Sequence, residues 1–252
     1  MSGARAWRAF LAQAKVELLL TTRRGENLLV TLAIPLLLLV FFSSVPLLPP
    51  PSWGGKQVDQ VVPGILALAI VSTGLVSLGI ATAFERAYGV LKRLGGSPLP
   101  RWALLAAKTA AVLATEVVQV ALIVLVGALL GWAPRGGIGE SLVASLPWLL
   151  LGSIAFCAMG LLLAGVLRAE AVLAVANGLY LVFLLLGGII IPLDHLPAAV
   201  AIPASLLPPA HLAGLLRGTF EPGATVDPLQ AAGLAAWAVA LVALTLLTFR
   251  TE

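Results

Sequence analysis

The chain has 252 residues, 60% of them hydrophobic and only 10% charged, with a formal net charge of +4 and a mean hydropathy of +1.07. Water-soluble domains carry charge on about a quarter of their residues, so this composition excludes a soluble core and points to an integral membrane protein. The basic residues are spread over several short connectors, which speaks against nucleic acid as a partner.

The first predicted element is a helix within 4–27. Trp7, Phe10, Leu11, Ala14 and Leu18 recur at helical spacing, while Arg5, Arg8 and Lys15 fall largely elsewhere. This pattern predicts an amphipathic helix lying in the membrane interface. Trp7, Arg8, Lys15, Arg23 and Arg24 interrupt any early apolar run, so no cleavable signal is expected.

A helix needs about 20 apolar residues to cross the hydrocarbon. Six stretches qualify: Leu28–Leu48, Val61–Ala83, Trp102–Trp132, Leu142–Leu167, Val172–Pro192 and Leu229–Phe249. The proline-rich "VPLLPPPSW" caps the first. Residues 193–227 are too polar and proline-broken to span cleanly, yet "AAVAIPASLLPP" is apolar. Such a segment is expected to form short re-entrant helices covered by protein. The Gly187-Gly188 pair before it suits a close helix approach or a bend.

Of the 15 Lys and Arg residues, twelve (Arg5, Arg8, Lys15, Arg23, Arg24, Arg86, Lys92, Arg93, Arg101, Lys108, Arg168, Arg250) fall on one set of connectors. Lys56, Arg135 and Arg217 make up the other set. By the positive-inside rule both termini lie in the cytoplasm, which agrees with an even number of crossings. The expected fold is an all-α, six-span membrane protein. It forms one transmembrane domain over 1–252, with the interfacial helix at 4–27, a cytoplasmic connector at 84–101 and a re-entrant outer segment at 193–227.

Motifs for chemistry are scarce. "WGGKQ" lacks the upstream glycine and the following Ser/Thr of a phosphate-binding loop, and HExxH, CxxC and GxSxG are absent. His195 and His211 read as solvated or hydrogen-bonded, and the single Cys157 as core packing. No metal site and no catalysis by this chain alone are expected.

The connector "FERAYGVLKRLGGSPLPRW" concentrates Glu85, Arg86, Lys92, Arg93 and Arg101 between two apolar runs. If helical, it sets Tyr88, Leu91 and Leu94 on one side, until Gly95-Gly96, Pro98 and Pro100 end the helix. Phe84-Glu85-Arg86, then Gly89, Leu91, Lys92, Arg93 and Leu94, then Ser97-Pro98, resembles the signature of ABC-2 type transporter permeases. That pattern is roughly F-E-R/K-E-x-G-T-L-x-x-L-x-x-[ST]-P. Ala87 stands where the family often has an acid, and Val90 where it often has Thr. The layout of interfacial helix, six spans and re-entrant segment is similar too, and the small size resembles the daunorubicin-type drug-resistance branch.

The resemblance implies a membrane subunit of an ABC exporter in a bacterial cytoplasmic membrane. It implies two copies of a separate ATP-binding subunit that carry ATP and Mg, and a second permease, identical or homologous. Phe84, Glu85, Arg86, Gly89, Leu91, Lys92, Arg93, Leu94 and Pro98 would form the coupling site. Glu85 and Arg86 are first choice for docking or for orienting the connector. The cargo expected is a drug or antibiotic, as in drug efflux and antibiotic resistance, or else a lipid-like molecule.

Glu116 lies about 14 residues, hence about 21 Å, into the third span. An acid at that depth costs at least about 2.5–3.5 kcal/mol and needs a polar environment. Gln119, three residues on, is expected on the same face, with Thr115 adjacent. The three either line a pathway or are hydrogen-bonded within the bundle. Asn177 and Tyr180 form a second candidate pair, with interhelical packing as the plainer reading. Glu116 also sustains an alternative, an ion-coupled secondary transporter, against which stands the lack of an inverted repeat. A non-transporting assembly subunit is the third class.

Overall fold

The computed structural model describes residues 11–19, 25–45, 51, 53–95 and 101–249. Its regular structure is helical, and no strand occurs among the described residues. Hydrocarbon offers no partners for backbone N–H and C=O groups, and a helix satisfies them within its own segment. Residues 11–19 form α1. Then follow α2 (Gly25–Ser44), α3 (Gln57–Ala87), α4 (Val90–Gly95), α5 (Arg101–Leu129), α6 (Ile138–Val166) and α7 (Ala169–Leu186). A 3-10 turn at Leu193–His195 leads into α8 (Ala198–Ser205), α9 (Pro208–Phe220) and α10 (Pro228–Thr248).

Helices α3, α5, α6, α7 and α10 are each long and apolar enough to cross a membrane, and they match the second to sixth predicted spans. The first predicted span corresponds to α2, which carries Pro35 inside it. The fifth stops at Leu186, short of Pro192, because the chain leaves the helix at Gly187 and Gly188. Residues 193–227 do not run straight. Helices α8 and α9 meet at 91°, the geometry of a broken span or a re-entrant loop. Leu212, Leu215, Leu216 and Phe220 of α9 are buried in the main core, so this segment is part of the bundle. The Phe220 ring meets Trp132 edge-on at 5.4 Å.

The central post is α3, with 83% of its most apolar window buried, against 22% in α7 and in α10. It passes through a π-helical stretch, Ser72–Ser77, where Gly74 packs on α6. A Cβ on Gly160 would lie 2.5 Å from the Gly74 carbonyl oxygen, and one on Gly79 would lie 3.1 Å from the Gly160 Cα. The two backbones therefore touch through three glycines, the close approach that membrane helices use when apolar burial alone does not hold them together. On the other side of α6, the Thr245 hydroxyl of α10 donates to the Ala158 carbonyl at 2.9 Å.

Candidate functional site

The connector is a bent unit. Helix α3 ends at Ala87, Gly89 takes φ +73°, and α4 begins at Val90. The bend turns the expected apolar side apart. Leu91 is fully buried, packed in one cluster with Leu78, Leu104, Leu105 and Phe249. Tyr88 is 75% exposed, its ring 6.0 Å from that of Phe84. Lys92 and Arg93 lie exposed on α4. Leu94 falls within α4, and Pro98 lies outside the described residues.

Glu85 and Arg86 both turn to the bundle. Lys108 Nζ donates to Glu85 Oε2 at 2.5 Å and lies 3.0 Å from Glu17 Oε1 of α1. Gln13 donates to Glu17 in turn at 2.9 Å. One ammonium thus joins α1, the end of α3 and the start of α5. An exposed ion pair is worth about 0–1 kcal/mol. The Lys108 side chain is only 1% exposed, so removing it takes the cation from Glu17 and Glu85 together, at a cost of about 3–5 kcal/mol.

Arg86 reaches α6 by its two terminal nitrogens. Nη1 donates to the Gly165 carbonyl at 2.5 Å, and Nη2 donates to the Leu167 carbonyl. These carbonyls close the end of α6, where helices leave C=O groups unpaired and favour a cation. The connector root is therefore bolted to α1, α5 and α6.

The intramembrane candidates divide between two places. Ser153 of α6 donates to Glu116 Oε2, while Glu116 Oε1 is buried without a hydrogen-bond partner. Gln119 points another way. It accepts from the Thr73 hydroxyl of α3 at 2.8 Å and donates to the Thr31 carbonyl of α2 at 2.9 Å. Thr115 donates to the Ala111 carbonyl of its own helix at 3.1 Å.

Asn177 and Tyr180 line a separate cavity of about 700 Å³ between α2, α3 and α7. Ser72 and Ser77 of the π-helical stretch also face it, and it reaches Phe84, Glu85 and Tyr88 at the connector. The Asn177 amide donates to the Leu173 carbonyl at 2.8 Å, and the buried Tyr180 hydroxyl has no hydrogen-bond partner. The second candidate pair and the connector root thus share one cavity, which Thr115, Glu116 and Gln119 do not line.

His195 is exposed, and the His211 ring packs against Gly233 of α10. Among the described residues no group of three or more His, Cys, Asp or Glu is placed to hold a metal ion. Cys157 is buried.

Sequence reasoning missed Glu17 and Ser153, and it used Lys108 only as a topology charge. The signal for Lys108 was available. It is a base set beyond Arg101 among the apolar first turns of α5, and such a base needs a partner.

A family model described as ABC-2 type transporter matches residues 8–220. A protein of Bacillus subtilis (strain 168) named "Putative transport permease YvfS" is 24% identical over 210 residues, covering 82% of this chain and 84% of that protein.

Proposed function

Because this chain belongs to the ABC-2 type transporter family and is a multi-pass membrane permease of an ABC transporter, we propose that it moves a hydrophobic or amphipathic molecule outward. A drug or antibiotic is the first choice of cargo and a lipid-like molecule the second. The family implies an ATP-binding partner in general. In our reading two copies of that partner hold ATP and Mg, and two permease chains, identical or homologous, face each other in a bacterial cytoplasmic membrane with their termini inside.

The observation that carries this reading is the division of labour along the connector. Lys92, Arg93 and Tyr88 face outward, where a soluble subunit can press on them. Glu85 and Arg86, at the root, are tied to Lys108, Gly165 and Leu167. A push on α4 is then delivered through Gly89 to the end of α3, and so to the wall of the cavity that holds Asn177 and Tyr180. Lys92 and Arg93 serve docking, and Glu85 and Arg86 serve orientation. Phe84, Gly89 and Leu91 shape the bend.

The test is co-purification with the ATP-binding subunit followed by ATPase assay in lipid. Lys92→Glu/Arg93→Glu should lose the partner. Glu85→Lys/Arg86→Glu should keep it but lose ATPase stimulation by cargo. Wild-type chain that captures no ATPase would overturn the reading.

A further inference from the structure

Between α5 and α6 runs a second cavity, of about 630 Å³, which the connector does not reach. Its walls are apolar, with Val120, Val124, Leu146 and Leu150 among them, and Glu116 and Ser153 are the polar residues that line it. No Lys, Arg or His lines it. Val117, Leu125, Val143, Leu146 and Leu150 present exposed apolar surface on the same side of the bundle. Its volume falls within the range of about 300–1,000 Å³ usual for small-molecule sites.

Glu116 is 4% exposed and sits near the midpoint of α5. The Ser153 hydroxyl has one hydrogen and two acceptors within reach, Glu116 Oε2 and the Leu149 carbonyl. It can satisfy one of them fully at a time. Oε1 is left with no donor at all among the described residues. An acceptor stranded in an apolar groove is costly, and a donor brought by a ligand removes that cost.

We propose that this groove is a membrane-facing binding site for a lipophilic amine, its nitrogen donating to Glu116 Oε1 and its apolar body lying along α5 and α6. The amine is favoured over an acid or a phosphate by the carboxyl group and by the lack of any basic residue in the lining. It is favoured over a neutral alcohol because a charge-assisted hydrogen bond is roughly twice as strong as a neutral one. The proposal rests on the permease reading only for what the binding serves, since binding is measured here without nucleotide or partner.

The experiment uses the full-length chain in phosphatidylcholine nanodiscs and a dodecylamine carrying a diazirine in its alkyl chain. After irradiation, labelled peptides should map to α5 and α6. Unlabelled dodecylamine should compete at about tenfold lower concentration than dodecanol. Glu116→Gln should bring the two competitors together. Leu146→Trp, which fills the groove and leaves Glu116 in place, should abolish labelling, so the test survives a Glu116→Gln variant that fails to fold. Equal competition by amine and alcohol in wild type would overturn the proposal, as would labelling that maps elsewhere or persists in Leu146→Trp. So would disulfide formation between copies carrying Val143→Cys, which would give this face to a second chain. A negative result here leaves the export reading standing. A chain that binds amine but captures no ATPase leaves this site standing.

Discussion

Lys108 Nζ lies 2.5 Å from Glu85 Oε2, so a base from the start of α5 holds an acid from the end of α3 across the root of the connector. Glu17 of α1 closes the cluster from the other side at 3.0 Å. The three side chains fasten separate segments with one ammonium, which makes Lys108 the residue whose loss is felt by all of them.

Lys108→Met should destabilise the protein by about 3–5 kcal/mol, because Glu17 and Glu85 lose the buried cation they share. Glu85→Gln in the same chain should recover part of that loss by removing one of them. Thermal unfolding in lipid measures both, and additive losses in the double variant would show that Lys108 and Glu85 do not interact.

Arg86→Lys should behave unlike wild type even though the charge is kept. One ammonium does not reproduce the fork that spans the Gly165 and Leu167 carbonyls. The expected loss is about 1.5–3 kcal/mol for Arg86→Ala and less for Arg86→Lys. Cargo-stimulated ATPase should fall in both variants, measured beside unfolding so that coupling and stability are separated.

Gly160→Ala places a methyl group 2.5 Å from the Gly74 carbonyl oxygen. The three nearest atoms, Gly74 O, Leu75 O and Gly79 N, are all backbone, so α3 and α6 must separate. The expected cost is about 1–3 kcal/mol or more, read as lost folded protein after solubilisation. Gly178→Ala is the control on an open face, since nothing lies within 4 Å of the added carbon.

Gly89→Ala forces a side chain into the left-handed region, at about 1–2 kcal/mol. Nothing lies within 4 Å of that Cβ, so the penalty is conformational alone. We expect a folded protein with altered ATPase coupling, and Gly89→Asn should be milder because Asn tolerates positive φ. Normal coupling in Gly89→Ala would remove the bend from the mechanism.

Gln119→Leu should cost about 0.6–2 kcal/mol, the scale of hydrogen bonds between membrane helices. It removes the hydrogen bonds to Thr73 of the π-helical stretch and to the Thr31 carbonyl together. Unfolding in lipid reads the loss. An unchanged midpoint would show that the link between α2, α3 and α5 adds nothing to stability.

The order of the long apolar helices was legible in the chain, since a run of apolar residues is a local property and the bilayer sets its length. So was the connector, whose Phe84-Glu85-Arg86 and Gly89 stand in one short stretch. The broken helix pair in 193–227 was legible in outline, from apolar residues interrupted by Pro197, Pro203, Pro208 and Pro209.

What a side chain meets across the bundle is not a local property. Glu116 and Gln119 are three residues apart, about 60° around a helix of 3.6 residues per turn. On an isolated helix that is one face. With α6 on one side of α5 and α2 and α3 on the other, the same 60° sends Glu116 to Ser153 and Gln119 to Thr73 and Thr31. Glu85 and Arg86 read along the chain as charges offered to a partner. Folding brings Lys108 within reach of Glu85 and the end of α6 within reach of Arg86. At a membrane surface a buried cation and open helix carbonyls draw such groups inward, and only the packing of the helices decides that they are there.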